Sequence, residues 1–92
     1  MKKISNILIR AELLWAAENG HLGVVKYLVG QGADVRAWGD RALLWAAQNG
    51  HLDIVKYLVD NGADVRADDG AALRWAVNSR HYKVATYLRS VM

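Results

Sequence analysis

The sequence predicts an all-α solenoid of three helix–turn–helix units stacked side by side, and three observations carry that prediction. The stretch Arg41 to Gly70, RALLWAAQNGHLDIVKYLVDNGADVRADDG, has a near copy thirty residues upstream, AELLWAAENGHLGVVKYLVGQGADVRAWGD, and a shorter one downstream, AALRWAVNSRHYKVATYLRSVM. The first two copies agree at roughly 20 of 30 positions, and self-similarity at a fixed short period marks an array whose units lend each other a core. Within each copy, apolar residues recur at helical spacing in two short runs, parted by glycine in the first two copies.

In the central copy, Asp40 is expected to cap the first helix, its carboxylate accepting free N–H groups of the first turn. Helix A then runs from Arg41 to Gln48, with Leu43, Ala46 and Ala47 on one face; the two alanines let another helix approach closely. Gly50 ends it, because the residue just past a helix often needs positive φ. Helix B spans Leu52 to Asp60, with Leu52, Val55, Leu58 and Val59 on one side. Gly62 stops it in the same way, and the polar stretch Ala63 to Gly70 reads as a loop back to the next helix A.

The string AAxNGHLxxVKYLVxxGADV, at Ala16 to Val35 and again at Ala46 to Val65, resembles the core of an ankyrin repeat, and the resemblance covers residues 11–92. It implies an ankyrin-type solenoid. Two features depart from the family pattern. Where a Thr-Pro-Leu-His tetrad usually opens helix A, this chain has Ala11-Glu12-Leu13-Leu14, Arg41-Ala42-Leu43-Leu44 and Ala71-Ala72-Leu73-Arg74, keeping only the leucine. The period is about three residues shorter than the usual 33, and the shortening falls in the loops after Ala37 and Ala67. The family's β-hairpin finger is therefore expected to shrink to a tight turn. Such short units are similar to those of ankyrin-rich proteins of giant DNA viruses.

One domain is expected in four pieces: an N-terminal capping segment 1–10, repeat 1 over 11–40, repeat 2 over 41–70, and a C-terminal capping repeat 3 over 71–92. In the first piece Ile4, Ile7 and Leu8 fall at helical spacing and Ser5 offers a cap, so a turn of helix or an extended lead should cover the apolar flank of repeat 1. Helices of repeat 1 are expected near 11–19 and 22–30. In repeat 3, Lys83, Ala85, Thr86 and Arg89 replace Asp53, Val55, Lys56 and Val59, the change by which a terminal repeat gains a wet outer face.

Composition narrows the function classes. At 92 residues, three units are about the minimum for a stable array. The 53% apolar content fits a folded globular chain, and with no cysteine it needs no disulfide or thiolate metal site. That is compatible with an intracellular, cytoplasmic setting. The opening MKKISNILIR has too short an apolar run for a signal-peptide core, and no segment approaches the 18 or so apolar residues of a membrane span.

Periodic residues invite chemical readings that their spacing opposes. His21, His51 and His81 recur once per repeat, but zinc ligands sit about 2 Å from the ion while equivalent residues of stacked helices lie about 8–10 Å apart. A structural role follows, and the resemblance implies an imidazole bonded to backbone at the A–B turn. Trp15, Trp45 and Trp75, with Tyr27, Tyr57 and Tyr87, are expected to pack between repeats rather than stack on nucleobases. Twelve basic residues against nine acidic give a net +3, and the loop arginines Arg36, Arg41, Arg66 and Arg74 share their edge with Asp34, Asp40, Asp64, Asp68 and Asp69. That mixture disfavours a phosphate groove and hence nucleic acid. The glycines form no phosphate loop, and Ser5, Ser79 and Ser90 have no repeated His–Asp arrangement, so no catalytic constellation and no cofactor is expected.

Positions shared by the copies hold the stack together, leaving those that differ free to recognise something. They fall in the loops and on the exposed side of helix A, the faces where, by resemblance, ankyrin arrays hold protein partners. Trp38 stands out because its counterpart is Asp68, and tryptophan beside Arg41 has hot-spot composition. The expected function is a non-enzymatic protein-interaction module with Trp38, Arg41, Leu44, Gln48, Asn49, Arg74 and Asn78 as its contact surface. The alternatives are a self-associating scaffold unit pairing through the flank of repeat 1, with the monomer favoured over the homodimer, and, more weakly, nucleic-acid binding.

Overall fold

The computed structural model describes residues 6–92. Six helices follow one another: α1 (Asn6–Glu18), α2 (Leu22–Gly30), α3 (Ala37–Gln48), α4 (Leu52–Asp60), α5 (Ala67–Asn78) and α6 (Tyr82–Val91). No strand occurs among the described residues. The helices pair as α1/α2, α3/α4 and α5/α6, one pair per repeat; α1, α3 and α5 touch in succession, and the second helices form a looser row. The result is elongated, 45 × 22 × 19 Å, as stacking in one dimension requires.

Small side chains set the close spacing of the first row. Ala16, Ala17, Ala46, Ala47, Ala72 and Ala76 are wholly buried, so the α1, α3 and α5 backbones approach with little side chain between them. Larger side chains fill the space between the two rows. Leu43, Leu44, Ile54, Val55 and Leu58 of the central repeat are all 0% exposed, each worth roughly 1.5–3 kcal/mol relative to exposure. Covered on both sides, repeat 2 has the most complete core.

Each first helix ends alike. The N–H groups of His21, His51 and His81 bond to the carbonyls of Ala16, Ala46 and Ala76 across a residue with positive φ, the Schellman closure. That residue is Gly20 (φ 80°), Gly50 (φ 76°) and, in repeat 3, Arg80 (φ 63°). Second helices close in the same way at Gly32 and Gly62, as the sequence predicts.

Four expectations need correction or refinement. Asp40 does not cap helix α3: its Oδ1 accepts the Asp64 N–H at 2.8 Å, its Oδ2 accepts from Arg36 Nε at 3.2 Å, and the carboxylate is buried. The loop does not run plainly into helix A. Trp38, Gly39 and Asp40 (φ 54°, 71° and 62°) form a left-handed turn, repeated by Asp68, Asp69 and Gly70 (φ 55°, 56° and 73°), and right-handed helix resumes at Arg41 and Ala71. This is the tight turn that the short period demands. Helix α1 begins at Asn6 instead of Ala11, taking in Ile7 and Leu8, both exposed, while Ile4 and Ser5 lie outside the described residues. Ala85 is buried, so only Lys83, Thr86 and Arg89 wet the outer face of repeat 3.

Candidate functional site

Some of the residues that differ between copies lie on the loops and on the first-row helices, and others, such as Gly23, Asp53 and Lys83, on the second helices. Trp38, on the left-handed turn at the start of α3, is 46% exposed. A bulky L-residue is disfavoured there by about 1–2 kcal/mol, so neither backbone preference nor burial accounts for an indole at this point. Arg41 opens the right-handed part of α3, half-buried, its Nη1 3.9 Å from Asp68 Oδ2 of the next loop. Arg74, one turn into α5, donates from its guanidinium to the carbonyl of Asp68 at 3.2 Å and to that of Asp69. The structure thus joins Arg41, Asp68 and Arg74 into one polar seam across the boundary between repeats 2 and 3. Gln48 and Asn78 are exposed at the far ends of α3 and α5.

Two members of the expected surface play other parts. Leu44 is fully buried; next to Leu43 it belongs to the apolar core instead of the surface, so it offers no contact to a partner. Asn49 is exposed, but its side-chain amide donates to the Trp45 carbonyl at 2.9 Å, as Asn19 does to Trp15, so a local cap engages that amide. The recurrence of asparagine at both positions was the signal for that role.

The periodic polar and aromatic residues form rows, not clusters. His51 Nε2 lies 2.9 Å from the Glu18 carbonyl, at the A–B turn of the preceding repeat. A Cβ on Gly20 would stand 2.8 Å from the His51 ring, and one on Gly50 would overlap His81. Each of these imidazoles therefore sits in the hollow that the preceding glycine leaves. His21, with no repeat ahead of it among the described residues, stacks on Trp15 at 4.9 Å. Lys26 lies 5.8 Å above the Tyr57 ring and Lys56 5.6 Å above Tyr87, an ammonium-on-ring ladder from each repeat to the next. Trp45, Trp75, Tyr57 and Tyr87 are partly buried against the core, whereas Trp15 and Tyr27 are 55% and 65% exposed. The period makes the six aromatics look alike; only place in the array separates them.

Two of the arginines on the loop edge are matched by acids. Arg36 bridges Asp40 and, at 3.6 Å, Asp64, and Arg41 faces Asp68. Among the described residues no three His, Asp or Glu side chains converge as metal ligands, and no helix is long and apolar enough to cross a membrane. A cleft of about 190 Å³ lined by Ile9, Arg10, Gly32, Ala33 and Asp34 lies below the size usual for a small-molecule site.

Stacked helix pairs closed by Schellman turns, repeated along one axis, define a helical-repeat solenoid. The family model for ankyrin repeats matches three copies over residues 13–91, and the chain belongs to that family. A search of curated proteins returns no match. Members of the family are in general protein–protein interaction modules.

Proposed function

We propose that the chain is a non-enzymatic module that holds a protein partner on the face made by the left-handed turns and the exposed side of α3 and α5. Trp38 carries the reading. It is exposed, it sits in a backbone conformation that disfavours it, and the equivalent turn is built with aspartate, a residue that tolerates that conformation better. A large apolar ring kept at such a place fits an anchor that fills a partner's pocket, with Arg41 and Arg74 beside the seam as polar contacts and Gln48 and Asn78 at its margin.

Nucleic acid fits this face poorly, because Arg36 and Arg41 are already engaged by Asp40, Asp64 and Asp68.

The test substitutes Trp38→Asp, which copies the turn of repeat 3. Strain at the turn should fall, leaving stability equal or higher by about 1 kcal/mol, while a partner captured by the wild-type chain should be lost. Joint replacement of Trp38 and Arg41 by alanine with undiminished capture would refute the assignment of this face.

A further inference from the structure

We infer that Asn61 is a modification site, where water replaces the side-chain ammonia, and that two asparagines of identical local sequence are shielded from the same reaction by the stacking of the repeats. The site is separate from the partner-binding face and stands or falls without it. Asparagine followed by glycine occurs three times, at Asn19-Gly20, Asn49-Gly50 and Asn61-Gly62. In such a pair the glycine nitrogen can give its proton to solvent base and attack the asparagine Cγ. Ammonia leaves with Nδ2, a five-membered succinimide remains, and water opens that ring at either carbonyl, to aspartate or to its β-linked isomer. Glycine favours the step because it has no Cβ to crowd the attacking nitrogen.

By sequence the three pairs are equivalent; by position they are not. Their side-chain amides are held alike, donating to the carbonyls of Trp15, Trp45 and Tyr57 at 2.9, 2.9 and 2.8 Å. That bond draws each Cγ back over its own helix and has to open before attack. The difference lies in the glycines. A Cβ on Gly20 would stand 2.8 Å from the His51 ring and one on Gly50 would overlap His81, and both glycines are half-buried beneath those imidazoles. Gly62 is exposed, with nothing within 4 Å of the equivalent point. Backbone bonding does not set it apart from Gly50: its N–H donates to Val59 at 3.1 Å, and that of Gly50 to Ala47 at 3.2 Å. Gln31-Gly32 has the same open setting as Asn61-Gly62, but glutamine has to close a six-membered ring, a slower step, which makes it a control within the chain.

The product would strain its surroundings. A carboxylate at position 61 would sit beside Asp60 at the C-terminal end of α4, where the helix dipole is negative, and would have no N–H for the Tyr57 carbonyl. The β-linked isomer also adds a backbone atom three residues before Asp64, whose N–H Asp40 accepts at 2.8 Å, and so loosens the loop that Asp40 fastens.

The test keeps the full chain, folded and in parallel in urea, in mildly alkaline buffer made with heavy-oxygen water, and follows each asparagine by peptide mass mapping. In the folded chain Asn61 should convert about tenfold faster than Asn19 or Asn49, the factor expected where one further contact has to open first, with Gln31 intact. In urea the three asparagines should react at equal rates. His81→Ala, which uncovers Gly50, should raise the rate at Asn49 toward that at Asn61 and leave Asn61 unchanged. His51→Ala makes the same test at Asn19 if the first variant does not fold by circular dichroism. Equal rates in the folded chain, no conversion at Asn61, a preference that persists in urea, or a shielded asparagine indifferent to loss of its histidine would each overturn the inference.

Discussion

Asp40 Oδ1 accepts the backbone N–H of Asp64 at 2.8 Å, and the bond closes the central repeat by fastening the turn before its first helix to the loop after its second. The carboxylate is 1% exposed, the only charged side chain so deeply buried among the described residues. It is sheltered because Arg36 Nε takes the other oxygen at 3.2 Å and also reaches Asp64 at 3.6 Å. Asp40→Ala removes the acceptor and leaves an N–H unpaired, which should lower stability by roughly 1–3 kcal/mol in chemical denaturation. Asp40→Asn keeps an oxygen for the Asp64 N–H and loses only the bond to Arg36. Its cost should be clearly smaller; equal costs would show that the ion pair, not the backbone bond, holds the loop.

This link also marks the boundary of what sequence alone reveals. Helix identities, the glycine stops and the row of histidines were legible because each is written two or three times, and agreement between copies filters out accident. Asp40 is written once: its counterparts are Arg10 and Gly70, so no comparison hinted that its side chain reaches 24 residues ahead rather than to its own helix. The left-handed turns were legible only as a missing length, since residues 38–40 read Trp-Gly-Asp and 68–70 read Asp-Asp-Gly, with the single glycine at different places. Leu44 reads as surface because it differs from Arg74, yet it is buried in the core, whereas Arg74 is exposed and bonds the carbonyls of Asp68 and Asp69.

Two demands meet at Gly50, and they can be measured apart. Its φ of 76° disfavours any Cβ, and a Cβ there would strike the His81 ring; Gly62, at φ 99°, has nothing within 4 Å of the equivalent point. Gly62→Ala should therefore cost about 1–2 kcal/mol from backbone conformation alone, and Gly50→Ala more. Removing the ring by His81→Ala should recover part of the excess in a double-mutant cycle, with a coupling of about 0.5 kcal/mol or larger between the two sites. Independent, additive effects would mean that the histidine does not rest in the glycine hollow.

Arg80 faces only the first of these demands. It occupies the left-handed position at φ 63°, and no fourth repeat with a histidine follows it among the described residues. Arg80→Gly should accordingly raise stability by about 1 kcal/mol, the relief of the Cβ clash less the added freedom of the unfolded chain. Thermal melts of the two proteins at one pH suffice; a lower midpoint for the variant would contradict a strained third turn.

Tyr87 gives the array a pH dependence at its alkaline edge. Burial, and secondarily the nearby Asp60 carboxylate, push its phenol above the ordinary value of 10.0, because both disfavour the phenolate. A folded-state pKa raised above the unfolded one means that the native chain holds its proton longer. The associated stability is complete below pH of about 10 and is lost as pH rises through the folded value. The difference in unfolding free energy between wild type and Tyr87→Phe should thus be flat below that pH and fall above it, the phenylalanine variant having no proton to lose. Asp60→Asn should weaken the fall without abolishing it, since burial remains the larger cause. Parallel profiles across this range would place Tyr87 in water and detach it from the packing between repeats 2 and 3, where Lys56 sits 5.6 Å above its ring.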